Sequence, residues 1–171
     1  MDLYDYQRQK TGKTYIRGSA QPEGFFRLVV HVCIFNSKNQ LLIQQRTLNK
    51  KMPGLWDVTS AGAVSTGESS NQGAQRELFE ELGIQIDFSN IRPSLTANFI
   101  QGFDDFYIIN KDIDIKGLKL QDDEVADAKY MDLRGVLDLR RSGKFVGYKE
   151  SFIKFLFELS LDCCLLYTSP S

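Results

Sequence analysis

Residues 62–84 read GAVSTGESSNQGAQRELFEELGI, and their carboxylates are crowded. On a helix over about Ser69 to Leu82, Glu77, Glu80 and Glu81 stand at i, i+3 and i+4 and project from one side, while Ala74, Leu78 and Leu82 form an apolar stripe elsewhere. Glu68 comes just before the helix. A solvated acidic face is the ordinary reading of such a run, but it normally carries lysine or arginine three or four residues away. Here Gly73 and Ala74 stand behind Glu77, and Arg76 reaches Glu80 at i+4, so Glu77 and Glu81 are expected to lack a neutralising partner. Each like-charge pair on a helix costs roughly 0.2–0.5 kcal/mol. A divalent cation removes that repulsion, because magnesium takes hard oxygen ligands and keeps some of its waters. Such a centre suits phosphate chemistry.

The elements that must position these groups follow from patterning. Ser69 with Gln72 three residues on reads as a capping box, and Gly83 as the C-terminal stop. Leu28 to Phe35 is a continuously apolar strand of the kind covered on both faces, followed after a polar turn by a strand over Gln40 to Arg46. Further strands are expected over Leu55 to Ala61, Ile84 to Phe88, Leu95 to Gln101, Phe103 to Asn110 and Val125 to Met131. A short helix is expected over Val136 to Arg141. A second, over Tyr148 to Leu159, carries Phe152, Phe155, Leu156 and Leu159 as its core stripe. The result is a mixed α/β layered domain over residues 1–160, with residues 1–20 as a hairpin appendage. The final stretch, 161–171, fits nothing before it and is expected to be a tail, disordered or not native.

Composition narrows the partners. The chain has 171 residues, 42% hydrophobic and 25% charged, as for an ordinary globular domain. Lysine plus arginine (21) nearly balance aspartate plus glutamate (22), so no overall basic field draws it to nucleic acid or an anionic membrane. No apolar run approaches the ~20 residues of a membrane helix. Cys33, Cys163 and Cys164 give neither a disulfide framework nor metal-ligand spacing, and a cytoplasmic protein is expected. The oligomeric state is left open, a homodimer included.

Gly62, then five residues, Glu68, then seven, Arg76-Glu77-Leu78, one residue, Glu80-Glu81, one residue, Gly83-Ile84 reproduces every fixed position of the Nudix box. The chain thus resembles the Nudix hydrolases. That resemblance implies an α/β/α fold in which a mixed β-sheet is sandwiched between helices, and a site that holds magnesium or manganese against a small-molecule diphosphate. Carried over, Glu77 and Glu81 are the best metal ligands, Glu80 a third and the carbonyl of Gly62 or its neighbour a fourth. Arg76 orients the carboxylates and Glu68 supports it. The implied chemistry is attack of water at phosphorus in a nucleoside diphosphate derivative or other organic diphosphate. Glu77 is the first candidate for general base. Glu124, in an acidic stretch that is otherwise a solvated loop, is the second.

Beyond the box, Phe35-Asn36, Leu41-Leu42, Gln45-Arg46, Asn49-Lys50-Lys51 and Pro53-Gly54-Leu55-Trp56 look like the branch that includes isopentenyl diphosphate isomerase. The pattern then breaks. Ala61 and Ala63 stand where that enzyme carries its cysteine and a metal-binding histidine, Arg27 replaces another histidine, and His31 falls on a small residue's position. Hydrolysis is therefore favoured over isomerisation, with a diphosphate sensor that does not turn its ligand over as a further alternative. Arg46 and Lys50 match positions that grip a diphosphate. Asp105 lies within one or two residues of an isomerase glutamate. His31 is expected to be a buried, hydrogen-bonded core residue and Trp56 to fill the core, while the group attached to the diphosphate is expected to be read by strand side chains and the segments around Gly102 and Lys116.

Overall fold

The computed structural model describes residues 1–161. The expected tail lies outside these except for Leu161, which ends the last helix. A hairpin of β1 (Asp2–Tyr4) and β2 (Lys10–Thr14) precedes a mixed seven-stranded sheet. That sheet comprises β3 (Arg27–Phe35), β4 (Leu41–Arg46), β5 (Trp56–Asp57), β6 (Ser60–Ala63), β7 (Leu95–Phe99), β8 (Gly102–Asn110) and β9 (Val125–Met131). Its main path is β5-β4-β3-β8-β7, with β6 on β3 and β9 on β4. The β3 and β8 strands run parallel from Arg27↔Gly102 to Phe35↔Asn110, and the other pairs are antiparallel.

The alternation of β3 divides the core in two. Leu28, Val30, Val32 and Ile34 pack under α1 (Ser70–Leu82) with Leu78, Leu82 and Phe88. Cys33 and Phe35 face the other layer, formed by α2 (Leu133–Arg141) and α3 (Glu150–Leu161). This is the α/β/α sandwich. The β3 and β4 strands meet only at Phe35↔Leu41 and then diverge. Thr59 stitches the gap, accepting from Ile34 N at 2.8 Å and donating to Leu42 O at 2.6 Å.

Three expected elements come out differently. Residues 84–88 form no strand: Ile84 and Phe88 are buried in alternating fashion, but the backbone of Phe88 bonds Gln75 Oε1 (3.0 Å) and Asn71 Nδ2 (3.1 Å) on α1 instead of a neighbouring strand. The piece over 55–61 is split into β5 and the start of β6 by Val58 and Thr59. The last helix starts at Glu150 and buries Ile153, Leu156, Phe157 and Ser160, so Phe152 and Phe155 are only partly covered.

The hairpin is bound firmly to the body of the protein. Tyr4 exchanges backbone hydrogen bonds with Phe26 at 2.8 and 2.9 Å, and Leu3 and Tyr4 are buried. Arg8 forms an ion pair with the fully buried Asp105, which also accepts from Ser70, the first residue of α1, and from Thr96. Asp105→Ala strips three donors of their acceptor and is expected to cost about 3 kcal/mol in urea unfolding. A loss below about 1 kcal/mol would show that the hairpin is not held through this carboxylate.

Candidate active site

Helix α1 is placed by its two ends and by close approach to β6. Ser69 N donates to Gln72 Oε1 at 2.9 Å, completing the box at the N-terminus, and Gly83 closes the other end at φ 69°, its N–H bonded to Phe79 O at 2.8 Å. A Cβ on Gly73 would come within 2.9 Å of Val64, so the helix lies against the strand with no space between.

That approach lays Glu77 over the backbone of Gly62, where an added Cβ would stand 2.0 Å from the carboxyl carbon. Glu81 is 1% exposed and accepts from Gln44 Nε2 (2.8 Å), Ala61 N (3.2 Å) and Lys50 Nζ (3.3 Å). Glu80 points outward, its side chain 48% exposed, and bonds Arg76 at 2.8 Å. Three carboxylates on one helix thus occupy three different environments.

The expectation that Glu77 and Glu81 lack neutralising partners is corrected. Arg76 donates to Glu68 (2.7 and 3.0 Å), Glu77 (2.9 Å), Glu80 (2.8 Å) and the carbonyl of Ala63 (3.1 Å). Lys50 joins Glu81 to Glu124. Helical spacing cannot reveal a partner that arrives from the loop after β4, nor an arginine long enough to bend back to its neighbour. Burial nevertheless pushes the Glu77 carboxyl above its ordinary value, with Arg76 opposing and the Glu81 and Glu80 charges adding. Burial also raises Glu81, against Lys50 and Gln44. Arg76 holds Glu68 low.

Beside Gly62 opens a cleft of about 280 Å³ whose lining includes Arg46, Lys50, Asp57, His31, Val146 and Tyr148. Arg46 bonds the buried Asp57 (3.1 Å) and Lys51 O (2.8 Å). Neither Arg46 nor Lys50 is an exposed strand-end residue, their side chains being 13% and 16% exposed. His31 is buried and hydrogen-bonded as expected, between Asp104 (3.1 Å) and Tyr148 (3.0 Å), with its ring stacked on Phe106. It nonetheless lines the cleft. Side-chain parity separates the neighbouring aspartates: Asp104 shares the cleft face with His31, whereas Asp105 turns to α1 and is removed from the site.

Glu124 reaches the site through Lys50, and the acidic stretch is tethered by Thr47, which bonds Asp123 O (2.7 Å) and Glu124 O (3.1 Å). Trp56 is 7% exposed in the core, with Lys129 over its ring. The segments around Gly102 and Lys116 do not line the cleft. Arg17, Met52, Asp57 and Tyr148 do, and sequence reasoning missed them; only Asp57, a charge within an apolar strand, left a signal. A larger hollow of about 760 Å³ runs along the outer side of α1, but of the candidate residues it includes only Glu68 and Arg76.

Among the described residues no three His, Cys, Asp or Glu side chains stand together as a ready metal cage. The donors that do converge, Glu77 over a glycine backbone and Glu81 beside Ala61, are hard oxygens of the kind a divalent cation takes. Their chemistry fits such an ion.

The family model for the NUDIX domain matches residues 25–150. An uncharacterised Nudix hydrolase of Listeria monocytogenes is 46% identical over 159 residues, covering 92% of this chain and 93% of its own length. An isopentenyl-diphosphate Delta-isomerase of Streptomyces coelicolor is 35% identical over 98 residues, 57% of this chain and 46% of that one. Among solved structures, a Deinococcus radiodurans protein superposes with a TM-score of 0.73 at 22% identity, covering 91% of this chain and 97% of its own. The MutT protein of Methanosarcina mazei gives 0.60 at 21%, covering 80% and 96%.

A carboxyl raised by burial binds its proton more tightly folded than unfolded, so its contribution to stability falls as pH climbs from the unfolded value of 4.5 through the native one. Glu77→Gln removes that loss. In EDTA the variant is expected to melt above wild type at neutral pH, with the difference shrinking on acidification toward pH 4.5. A lower melting temperature at neutral pH would show that the Arg76 pair outweighs burial.

Proposed function

The chain belongs to the Nudix family and is a Nudix hydrolase, and from that premise we propose that it cleaves a diphosphate linkage, in a nucleoside diphosphate derivative or other organic diphosphate, by magnesium-dependent attack of water at phosphorus. The observation that carries this reading is the seating of Glu77 on the bare backbone of Gly62, which lines one cleft together with Arg46 and Lys50.

Glu77 and Glu81 would hold magnesium or manganese, with Glu80 and the Gly62 carbonyl as further donors. The ion would neutralise diphosphate charge and make bound water more acidic. Glu77 takes the proton of the attacking water, a role favoured by a carboxyl that burial raises above its ordinary pKa. Glu124 is the second candidate. It stays within reach of the site through Lys50. Arg46 commits Nε and one terminal nitrogen to Lys51 and Asp57, and its remaining fork edge, together with Lys50, serves the substrate's phosphates. Arg76 and Glu68 keep the carboxylates in place. A cytoplasmic setting suits a small diphosphate substrate.

Hydrolysis is preferred to isomerisation because the face where the isomerase needs a cysteine and histidine carries Ala61 and Ala63. Cys33 cannot substitute, since it is fully buried and its thiol is held well above its ordinary pKa by burial. A ligand sensor without turnover would not require the complete set of glutamates.

A panel of nucleotide sugars, dinucleotide cofactors, damaged nucleoside triphosphates and isopentenyl diphosphate, assayed with and without magnesium, is expected to give magnesium-dependent phosphate release from at least one member. Glu77→Gln should lower kcat by more than about 100-fold with the fold intact. An active variant would remove Glu77 from the chemistry. Glu124→Gln distinguishes the two bases: an unchanged rate at saturating magnesium eliminates Glu124.

A further inference from the structure

The family match begins at residue 25, yet the segment before it reaches the catalytic motif. Asp2 accepts from Gly67 N at 3.0 Å and Lys10 donates to Glu68 O at 2.9 Å, so the hairpin grips the loop that leads into α1. Past β2, Tyr15 and Met1 exchange bonds of 2.8 and 2.9 Å, and the chain then carries Arg17 to the site. Arg17 lines the cleft with Arg46 and Lys50. It also lines a neighbouring hollow of about 380 Å³ with Glu77, Ser65 and Ala63, and Ala63 is common to both.

The other cations of the site are already engaged. Arg46 answers the buried Asp57, Lys50 answers Glu81 and Glu124, and Arg76 answers Glu68, Glu77 and Glu80. Arg17 is exposed and makes no ion pair or hydrogen bond among the described residues. A diphosphate brings several negative charges into a space bordered by carboxylates, and a guanidinium with no internal partner is the group suited to meet them with paired donors.

We propose that Arg17 is a substrate-binding residue that contacts the diphosphate, and that the arm after β2, residues 15–17, forms part of the active-site wall. This rests on the diphosphate reading given above. Arg8 and Asp105 then act as positioning residues, since their ion pair fixes the hairpin that carries the arm.

The test is calorimetric titration of the full chain with methylenediphosphonate in magnesium, which needs no turnover. Arg17→Gln should weaken binding about 10- to 100-fold, the range for a hydrogen bond to a charged group, with no change in melting temperature. Arg17→Lys should recover part of the loss. Lys13→Gln, on the same hairpin but with its ammonium over the Phe25 ring, should bind as wild type. Wild-type affinity in Arg17→Gln overturns the assignment, and so does an equal loss in Lys13→Gln, which would indicate a general field and not a contact. If wild type itself fails to bind the analogue, the diphosphate reading falls and takes the arm's role with it.

Discussion

Arg76 answers three carboxylates and one carbonyl at once, and its guanidinium is where loop, strand and helix meet. Glu68 belongs to the loop before α1, Ala63 to β6, and Glu77 and Glu80 to the helix itself. Five N–H donors in a rigid plane allow this, whereas a lysine ammonium could supply only three. Because Glu77 is largely shielded from water, its charge is costly to keep, and the arginine lowers that cost without cancelling it. The result is a carboxylate that is both fixed in place and easier to protonate than usual.

Small side chains make the arrangement sterically possible. The carboxyl group of Glu77 lies where any side chain at position 62 would have to stand, and Gly73 lets the helix backbone approach Val64. Ala61 and Ala63 flank the glycine and leave the cleft open above β6. The cleft also depends on the divergence of β3 from β4, which keeps only one paired position between them. Thr59 satisfies one backbone group on each side of that gap, Ile34 N and Leu42 O.

What was legible in the chain was whatever its local pattern dictates. The helix from Ser70 to Leu82, with its box and its glycine, could be read because caps and periodicity are local; so could β9, recovered over Val125–Met131. Residues 84–88 were misread because alternating burial alone does not make a strand. Its backbone partners are side chains on α1, which no period encodes. The stripe on the last helix slipped because aromatic spacing suggested Phe152 and Phe155, while packing chose Ile153, Leu156 and Phe157. The ion pairs of Lys50 and Arg46 span loops and strands, so they too were hidden, as was the one-residue parity that separates Asp104 from Asp105.

The groups that line the cleft differ in what they can offer a substrate. Lys50 and Arg46 are charged and exchangeable, since they hold carboxylates that a polyanion can compete with. Toward Tyr148 the polar groups are already satisfied: both nitrogens of His31 are engaged, by Asp104 and by the Tyr148 hydroxyl. Burial holds that hydroxyl far above its ordinary pKa, so it stays neutral. A substrate group placed beside Tyr148 and Val146 finds few free hydrogen-bonding partners. Apolar contact discriminates weakly, by about 1–3 kcal/mol per methylene, whereas charge recognition is shared by every diphosphate. On the diphosphate reading proposed above, selection among diphosphates would rest on the lining around Val146 and Tyr148, where a strongly polar attached group would lose hydrogen bonds to water.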